Sequence, residues 1–268
     1  MKPKLALSAK VEKSVENVLE HAVTSGFDAI DWSFHPNDFI EHELTERWLH
    51  AFNLKYPGVE IRYHTPWGDI EIAHKDNTVS DRAVSLLTRS IDVIERLGGR
   101  FLTVHIGLNA DGPQALCMDK AKTNLARLVE YGRKHEVIIS LENLKNGQTS
   151  EPEQFLELIG FSGAMVTLDI GHALSSEAHE NGWPCQSFIR AVSPWIINAH
   201  IYESETDRHN APTDLSIIGP SLTELLGTGC DWWVIELADA NEVAQTRRLL
   251  EEMLGRSDEL RSCPGQAF

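Results

Sequence analysis

Six short apolar stretches of this chain each end in a residue that can bind a metal through nitrogen or oxygen. In chain order, the last residues of these stretches are His64, His105, Glu142, Asp169, His200 and Glu236. Histidine, aspartate and glutamate are poor choices for the interior of a strand, but they are good ligands for zinc or manganese. One such ending carries little information, whereas six in succession need a common cause. We interpret them as ligands at the carboxyl ends of successive strands.

Four of these residues form a mixed ligand set. Glu142, Asp169, His200 and Glu236 together offer three carboxylates and one imidazole, which suits Mn²⁺, Zn²⁺ or Mg²⁺. Taken singly, each has an ordinary alternative: a salt-bridged glutamate, a helix-capping aspartate or a hydrogen-bonded core histidine. A charge that ends an apolar run is costly without a cation or a partner. We therefore predict that these four residues bind a divalent metal.

Two histidines at the ends of earlier strands extend this set. His64, in the segment YHTPW, and His105, in VHIG, precede Glu142 along the chain. Each could orient a substrate or make a hydrogen bond in the core. Alternatively, they could complete a second ion position, with Glu142 bridging two ions about 3.5–4 Å apart.

A third group of candidates lies later in the chain. His172, in LDIGHA, follows Asp169 closely, and Gly171 between them permits a tight turn. Asp207 and His209, in TDRHNAP, could hold a third ion together with His172, or they could belong to a solvated polar loop. The sequence thus predicts a divalent metal cofactor, zinc or manganese, at one to three ions per chain.

Strand-like apolar runs that alternate with helical patterns must position these ligands. The predicted strands are Lys4–Ser8, Phe27–Trp32, Glu60–His64, Phe101–Ile106, Val137–Glu142, Met165–Ile170, Ile196–Ile201 and Trp232–Leu237. Near-continuous apolar runs of this kind are typical of parallel strands covered on both faces. A doubly wound open sheet would concentrate its chemistry in one crevice, whereas a closed barrel brings every strand end to one mouth. We predict an α/β fold, a single (β/α)8 TIM barrel with its metal site at the C-terminal ends of the strands.

The helical patterns complete eight strand–helix units. The predicted helices are Val11–Thr24, about 39–52, Thr78–Leu97, Ala115–His135, about 150–160, Glu177–Val192, Ser221–Gly227 and Glu242–Leu254. No linker or low-complexity segment divides the chain. We therefore predict one domain over residues 1–268, with about 256–268 as a peripheral tail.

Composition limits the classes of partner. The 268 residues include 24 Lys and Arg against 40 Asp and Glu, a net charge of −16. Such a charge opposes attraction to nucleic acid or anionic membranes, although it does not forbid a nucleic acid substrate. No apolar stretch approaches the roughly 18–20 residues that a membrane span needs, so no membrane association is expected.

Cysteine usage and the N-terminus point to a compartment. Four cysteines are widely scattered without a CxxC pair, so we expect free thiols in a reducing environment. The first residues lack the apolar core of a signal peptide, and we expect a cytoplasmic protein.

The sequence contains no phosphate-binding loop, nucleophile elbow or dinucleotide fingerprint. Their absence argues against a nucleotide kinase, a serine hydrolase and a Rossmann dehydrogenase.

The motifs YHTP, VHIG, ENL, LDIGHA, HIYE, DRH and IEL occur in that order between about Leu5 and Glu236. In this the chain resembles the xylose isomerase-like TIM-barrel superfamily, which includes sugar and sugar-phosphate isomerases and epimerases as well as endonuclease IV. Resemblance to the ketose epimerases implies that Glu142, Asp169, His200 and Glu236 hold one metal. It also implies that the two glutamates exchange protons with the sugar. Resemblance to endonuclease IV implies three zinc ions on nine ligands: His64, His105, Glu142, Asp169, His172, His200, Asp207, His209 and Glu236.

Two functions from different classes are therefore expected. The first is a metal-dependent isomerase or epimerase of a sugar or sugar phosphate, which would move a proton through a metal-stabilised enediolate. Glu142 and Glu236 would be catalytic, and His172, Arg208 and Trp67 would bind this small substrate. The alternative is a multi-zinc phosphoesterase that acts on abasic DNA or a small phosphodiester. The complete set of nine ligands favours the phosphoesterase, the acidic charge opposes DNA, and a binding protein without catalysis ranks last.

Overall fold

Eight parallel strands close into a barrel in the computed structural model, which describes residues 2–11, 14–34, 42–65, 70–108 and 112–262. The barrel strands are β1 (Lys4–Ser8), β2 (Ala29–Ser33), β3 (Glu60–His64), β4 (Phe101–Val104), β5 (Ile138–Glu142), β6 (Met165–Asp169), β7 (Ile196–Ile201) and β10 (Trp232–Ile235). Two short strands, β8 (Ser204–Glu205) and β9 (His209–Asn210), form a separate antiparallel hairpin that follows β7.

Pairing of the first and last barrel strands closes the sheet. Each barrel strand pairs with its neighbours in the chain, and β1 pairs with β10 through contacts such as Leu5 with Trp233. In a closed barrel of parallel strands, all carboxyl ends lie on one face. The predicted (β/α)8 TIM barrel is therefore confirmed, and the open-sheet alternative is wrong.

Helices between the strands cover the barrel. They are α1 (Val15–Thr24), α2 (His42–Lys55), α3 (Asn77–Arg96), α4 (Met118–Lys134), α5 (Pro152–Ser162), α6 (Ile170–Ser175), α7 (Glu177–Glu180), α8 (Cys185–Val192), α9 (Gly219–Leu226) and α10 (Ala240–Ser262). Helix α3 is a clear example of local encoding. Asp76 caps its first turn by accepting from the Thr78 amide, and Leu87, Ile91 and Ile94 lie buried on one face.

Several helical segments differ from the predicted ones, and two of the differences are large. A single helix was expected over Glu177–Val192, but α7 ends at Glu180 and α8 begins at Cys185. Gly182, with φ 103°, and Pro184 break the helix between them, because proline removes a backbone donor and glycine adopts this φ without strain. At the other end, α10 continues to Ser262, past its predicted end at Leu254.

The remaining expectations concern thiols and membranes. Cys117, Cys185 and Cys230 are free, as expected, and Cys263 lies outside the described residues. Within the described part of the chain, no helix is both long and apolar enough to cross a membrane.

Candidate metal centre

Four buried candidate ligands lie at the mouth of the barrel because adjacent strands carry them in register. Glu142 is the last residue of β5, Asp169 is the last of β6, and Glu236 directly follows β10. His200 in β7 is paired with Asp169 on one side and with Val234 on the other. All four ligand side chains are almost completely buried. Strand pairing alone therefore brings residues far apart in sequence into one cluster.

The three carboxylates converge on one nitrogen of His200. Its Nδ1 lies 3.3 Å from Oε1 of Glu142, 3.3 Å from Oε2 of Glu236 and 3.7 Å from Oδ2 of Asp169. Within the described residues, neither this Nδ1, Glu236 Oε2 nor Asp169 Oδ2 makes a hydrogen bond. Ligands bound tetrahedrally at about 2.0–2.2 Å from a zinc ion lie about 3.3–3.6 Å from one another. The spacing and the unpartnered donor atoms therefore fit a divalent metal.

Asp169 combines two roles that the sequence left as alternatives. Its Oδ1 accepts from the His172 amide at 2.7 Å and caps α6, while Oδ2 faces the His200 imidazole. A capping carboxylate is fixed in direction by its own helix. The helix cap thus orients the candidate ligand.

Opposing charges keep these buried groups ionised. Burial alone would raise the pKa of Glu142, but His200 and His105 outweigh it and hold that pKa well below its usual range. Burial also disfavours charge on Glu236, yet Lys10 and His200 hold its pKa well below normal. The Lys10 ammonium lies 2.9 Å from Oε1 of Glu236. Burial likewise opposes a charge on His200, but Glu236 and Glu142 raise its pKa well above normal.

A second group shares Glu142 with the first. Nε2 of His64 and Nε2 of His105 lie 3.1 and 2.9 Å from Oε2 of Glu142, whereas Oε1 of that glutamate faces His200. Thr65 holds both Nδ1 atoms, through its carbonyl for His64 and its hydroxyl for His105. A hydrogen bond that fixes one ring nitrogen in this way directs the other nitrogen towards the position of a metal ion. Glu142 is therefore placed to bridge two ion positions.

The two histidines differ in basicity. Burial lowers the pKa of both rings, but the hydrogen bond to Glu142 reverses this for His64, whose pKa is raised. For His105, burial prevails and the pKa is lowered. A neutral His105 that donates from Nε2 to Glu142 accepts at Nδ1 from the Thr65 hydroxyl.

A third group consists of His172, Glu205 and His209. Nε2 of His172 lies 3.5 Å from Oε2 of Glu205, and Nε2 of His209 lies 4.0 Å from Oε1. The Nδ1 atoms are held by backbone carbonyls, at 2.9 Å from Asn143 for His172 and at 2.9 Å from Glu236 for His209. Both rings thus turn Nε2 towards the Glu205 carboxylate.

Asp207, which the sequence placed in this group, is not brought to it. Its side chain is exposed and accepts from the Thr206 hydroxyl at 2.9 Å. The hairpin formed by β8 and β9 instead directs Glu205, at the end of β8, towards His172. Glu205 therefore occupies the place that the motif DRH assigned to Asp207.

The third group is also electrostatically coupled. Burial lowers the pKa of His172, but Asp169 and the hydrogen bond to Glu205 raise it to about 9. The same hydrogen bond lowers the pKa of Glu205, although burial opposes the change. In the metal-free protein, protonated His172 therefore forms ion pairs with the carboxylates of Asp169 and Glu205.

Tyr202 packs against the third group. Its ring stacks on the His209 imidazole with 3.9 Å between centroids and 7° between planes. A Cβ at Gly171 would overlap the Tyr202 ring. Gly171 was expected to permit a tight turn, but it lies in helix α6 and is not among the residues with positive φ. The position requires glycine because the tyrosine packs directly against the backbone.

The predicted substrate-binding residues have different outcomes. His172 lies at the mouth beside Glu205. Arg208 is exposed, and its guanidinium donates to Glu242 in α10 at 3.0 Å. Trp67 lies outside the described residues.

Three residues near the ligands were missed in the sequence: Lys10, Asp31 and Glu205. Asp31 interrupts the apolar run FDAIDW, which was the available signal. It is 1% exposed, and its Oδ2 lies 4.0 Å from Nε2 of His200. Burial raises the pKa of Asp31, and His64 and His200 oppose that rise. Lys10 and Glu205 lie outside the apolar runs, so periodicity gave no signal for either.

Comparison with known proteins places this arrangement in a wider context. A family model described as a xylose isomerase-like TIM barrel matches residues 19–253. An uncharacterized protein of Methanocaldococcus jannaschii is 29% identical over 196 residues, 72% of this chain and 80% of the relative. An L-ribulose 3-epimerase of Mesorhizobium japonicum is 27% identical over 183 residues, 64% of this chain and 60% of that protein.

Solved structures share the barrel. A D-tagatose 3-epimerase-like protein superposes with a TM-score of 0.81 at 23% identity, over 96% of this chain and 98% of the other. Endonuclease IV from Thermus thermophilus superposes with a TM-score of 0.68 at 16% identity, over 95% and 100% of the two chains. At these identities the likeness shows the fold, and the chemistry must be argued from the site.

Proposed function

Because the chain belongs to the xylose isomerase-like TIM barrel family, we propose that it is a metal-dependent isomerase or epimerase of sugars or sugar phosphates. The observation that carries this proposal is the convergence of Glu142, Asp169 and Glu236 on one nitrogen of His200. The relatives include an L-ribulose 3-epimerase, and a D-tagatose 3-epimerase-like protein has the same fold. Both support a ketose as the substrate.

The reaction would remove a proton beside the substrate carbonyl and return it. A divalent metal held by the four ligands would act as a Lewis acid on the substrate oxygens and lower the cost of removing that proton. Glu142 and Glu236 each place one carboxylate oxygen 3.3 Å from Nδ1 of His200. A carboxylate of low pKa is unprotonated at neutral pH, as a general base must be before it removes a proton. We assign one glutamate to each face of the substrate carbon.

Neighbouring residues hold the two glutamates in place. His64 and His105 fix Oε2 of Glu142, and Lys10 fixes Oε1 of Glu236. Fixed carboxylates avoid the cost of reorganisation when charge develops during the reaction. His172 would bind a substrate hydroxyl or phosphate, since its pKa of about 9 keeps it charged at neutral pH before metal binds. Binding of a phosphate by Arg208 stays a prediction, because this side chain pairs with Glu242.

Hydrogen exchange tests the proposal without knowledge of the natural substrate. The protein loaded with Mn²⁺ or Zn²⁺ is incubated in D₂O with ketoses and their phosphates, and deuterium incorporation is read by NMR. We expect incorporation next to the carbonyl for at least one substrate. Glu142→Gln should lower the rate about 10²–10⁴-fold for the epimer whose proton Glu142 removes, the usual contribution of a positioned base. The control is Glu130→Gln, since Glu130 is an exposed residue paired with Arg133.

Two results would contradict the isomerase proposal. One is the absence of exchange with every ketose tested, although the protein holds metal. The other is exchange that Glu142→Gln leaves unchanged with both epimers, since an amide cannot act as the base.

A metal-dependent phosphoesterase is a second candidate, favoured by a specific observation. Glu142 faces His200 with one oxygen and His64 and His105 with the other, which suits a two-metal site. Endonuclease IV has the same fold. The net charge of −16 opposes DNA as the substrate, but it leaves small phosphodiesters open.

Metal content separates the two functions. Elemental analysis of protein purified without chelators should give close to one ion per chain for the isomerase, and close to three for the phosphoesterase. Cleavage of bis(p-nitrophenyl) phosphate or nicking of abasic duplex DNA would support the second candidate. The absence of both activities at micromolar enzyme concentration would rule out the phosphoesterase.

A further inference from the structure

Asp31 places a carboxylate inside the barrel with no hydrogen-bond partner among the described residues. It lies in the middle of β2, in register with Ser8 of β1 and Arg62 of β3. Only 1% of the residue is exposed, and neither carboxylate oxygen makes a hydrogen bond there. Burial of a carboxylate without a hydrogen-bond partner is strongly unfavourable. We therefore expect Asp31 to accept a hydrogen bond from a donor close to it.

The donor that Asp31 can accept from is the imidazole of His200. Oδ2 of Asp31 lies 4.0 Å from Nε2 of His200, which also lacks a partner within the described residues. The ring of His64 is near as well, but Thr65 and Glu142 already engage its two nitrogens. A shift of about 1 Å would bring Asp31 and His200 to hydrogen-bond distance. Two unpartnered groups that are complementary as donor and acceptor therefore face each other.

The two nitrogens of an imidazole lie on different edges of the ring, and here they face different surroundings. Nδ1 of His200 faces the carboxylates of Glu142, Asp169 and Glu236, whereas Nε2 faces Asp31. A neutral imidazole carries one proton, so an acceptor beside Nε2 keeps the proton there and leaves the Nδ1 lone pair free. Partners of this kind orient metal-binding histidines and make them stronger ligands.

We propose that Asp31 is a positioning residue that accepts the Nε2 proton of His200 and thereby directs Nδ1 to the metal. This inference rests on the proposed metal site, since it explains how one of its four ligands is held. It also explains why an acidic residue interrupts the apolar stretch of β2. A separate ion between Asp31 and His200 is a weaker explanation, because His200 would then have to lose both of its ring protons.

The test compares Asp31→Leu with Asp31→Asn. Leucine removes the acceptor at similar volume, whereas the asparagine oxygen can still accept the same bond. The control is Ser140→Ala, since Ser140 is a buried hydroxyl in β5 that bonds to Thr167 rather than to a ligand. Full-length protein with ¹⁵N-labelled histidine is studied by NMR, with and without Zn²⁺. Zinc affinity is measured by competition with a chelator.

In the wild type we expect a low-field Nε2 proton on His200 that exchanges slowly with water, in both the metal-free and the zinc-loaded protein. Asp31→Leu should lose this signal and bind zinc about 10–100-fold more weakly, as expected when the partner of a metal-binding histidine is removed. Asp31→Asn should keep the signal at a shifted position and retain most of the affinity. Ser140→Ala should leave the signal and the affinity unchanged.

Three outcomes would overturn the inference: no protected Nε2 proton in the wild type, an unchanged signal in Asp31→Leu, or zinc affinity in that variant equal to the wild type. If Asp31→Leu does not fold, an unshifted signal in Asp31→Asn overturns it instead. Failure of the wild type to bind any divalent metal would count against the proposed function. The metal-free spectra would still decide whether Asp31 holds His200.

Discussion

Nε2 of His172 lies 3.5 Å from the carboxylate of Glu205, and this contact defines one side of the barrel mouth. Glu205 is half-buried, whereas Asp207, two residues further along the hairpin, points to solvent. Glu205 is the last residue of β8, whereas Asp207 lies in the turn between β8 and β9, where strand alternation no longer sets the direction of a side chain. The acidic residue that acts with His172 is therefore the one at the end of β8.

Replacement of Glu205 and of Asp207 should have different effects on His172. The hydrogen bond to Glu205 helps to raise the pKa of His172 to about 9, so Glu205→Gln should move that pKa towards its ordinary value. Asp207→Asn should leave it where it is, because the Asp207 carboxylate bonds to Thr206. An NMR titration of His172 in metal-free protein measures both. Equal titration curves for the two variants would show that Glu205 does not hold His172.

The raised pKa of His172 also makes the stability of the metal-free protein depend on pH. A histidine whose pKa is raised to about 9 in the folded state, from about 6.5 when unfolded, contributes its full stabilisation below pH 6.5. That stabilisation is lost as the pH rises through 9. We therefore expect His172→Gln to be less stable than the wild type at pH 6, with a smaller difference at pH 9.5.

Urea unfolding in the presence of a chelator measures this difference, and the comparison of two proteins at each pH cancels groups that titrate in both. A difference that stays constant from pH 6 to pH 9.5 would mean that His172 is not held charged by Asp169 and Glu205. A difference that grows with pH would reverse the sign and contradict the assigned contacts.

The sequence predicted the barrel and the position of most of its candidate ligands, because both follow from local patterns. Apolar runs define strands, and residues such as Glu142 and His200 are conspicuous at the ends of those runs. In a parallel barrel, the position at a strand end is enough to place a side chain at the mouth. Strand order and ligand position were therefore available without any tertiary information.

The missed residues depend on contacts that no local pattern records. Lys10 reaches Glu236 across the pairing of β1 with β10, which exists only once the barrel closes. The choice between Glu205 and Asp207 depends on the geometry of a hairpin whose two strands have two residues each. Asp31 faces His200 only because the barrel curves β2 towards β7. Each of these is a property of the closed barrel, whereas the sequence showed only the residue type.

Removal of the Lys10 charge should weaken the metal-free fold but tighten metal binding. Lys10 lies 2.9 Å from buried Glu236, so Lys10→Met leaves a buried carboxylate without its cation. The cost should be somewhat less than the about 3–5 kcal/mol typical of a wholly buried pair, since Lys10 is partly exposed. The site also becomes more negative, which favours a divalent cation. Thermal unfolding with and without Zn²⁺ should therefore show a larger rise in Tm for the variant than for the wild type.

The matched control is Lys4→Met. Lys4 also pairs with a glutamate at 2.9 Å, but the pair with Glu60 is exposed, and such pairs contribute about 1 kcal/mol or less. Its zinc-induced rise in Tm should equal that of the wild type. If Lys10→Met behaves in the same way as Lys4→Met, Lys10 does not neutralise Glu236.

Glutamine substitutions at Glu142 and at Glu236 should each lower the rate of deuterium exchange with a different epimer of the substrate. If Glu142 and Glu236 act on opposite faces of the substrate carbon, each removes the proton from one epimer only. Glu142→Gln should then keep some deuterium exchange with one epimer, and Glu236→Gln with the other, because a glutamine oxygen can still bind the metal. NMR of each pure epimer in D₂O measures the four rates. Loss of exchange with the same epimer in both variants would argue for a single base.

An alanine at position 171 should destabilise the protein through Tyr202. The added Cβ would overlap the Tyr202 ring, and the ring stacks on His209, so tyrosine and histidine must both move. Overpacking of this kind costs about 1–3 kcal/mol, to be measured by urea unfolding. Gly160→Ala is the control, because Gly160 lies in α5 with nothing within 4 Å of the added Cβ. There the substitution should be neutral or stabilise by about 0.5–1 kcal/mol, so equal effects at the two sites would show that Tyr202 does not pack against Gly171.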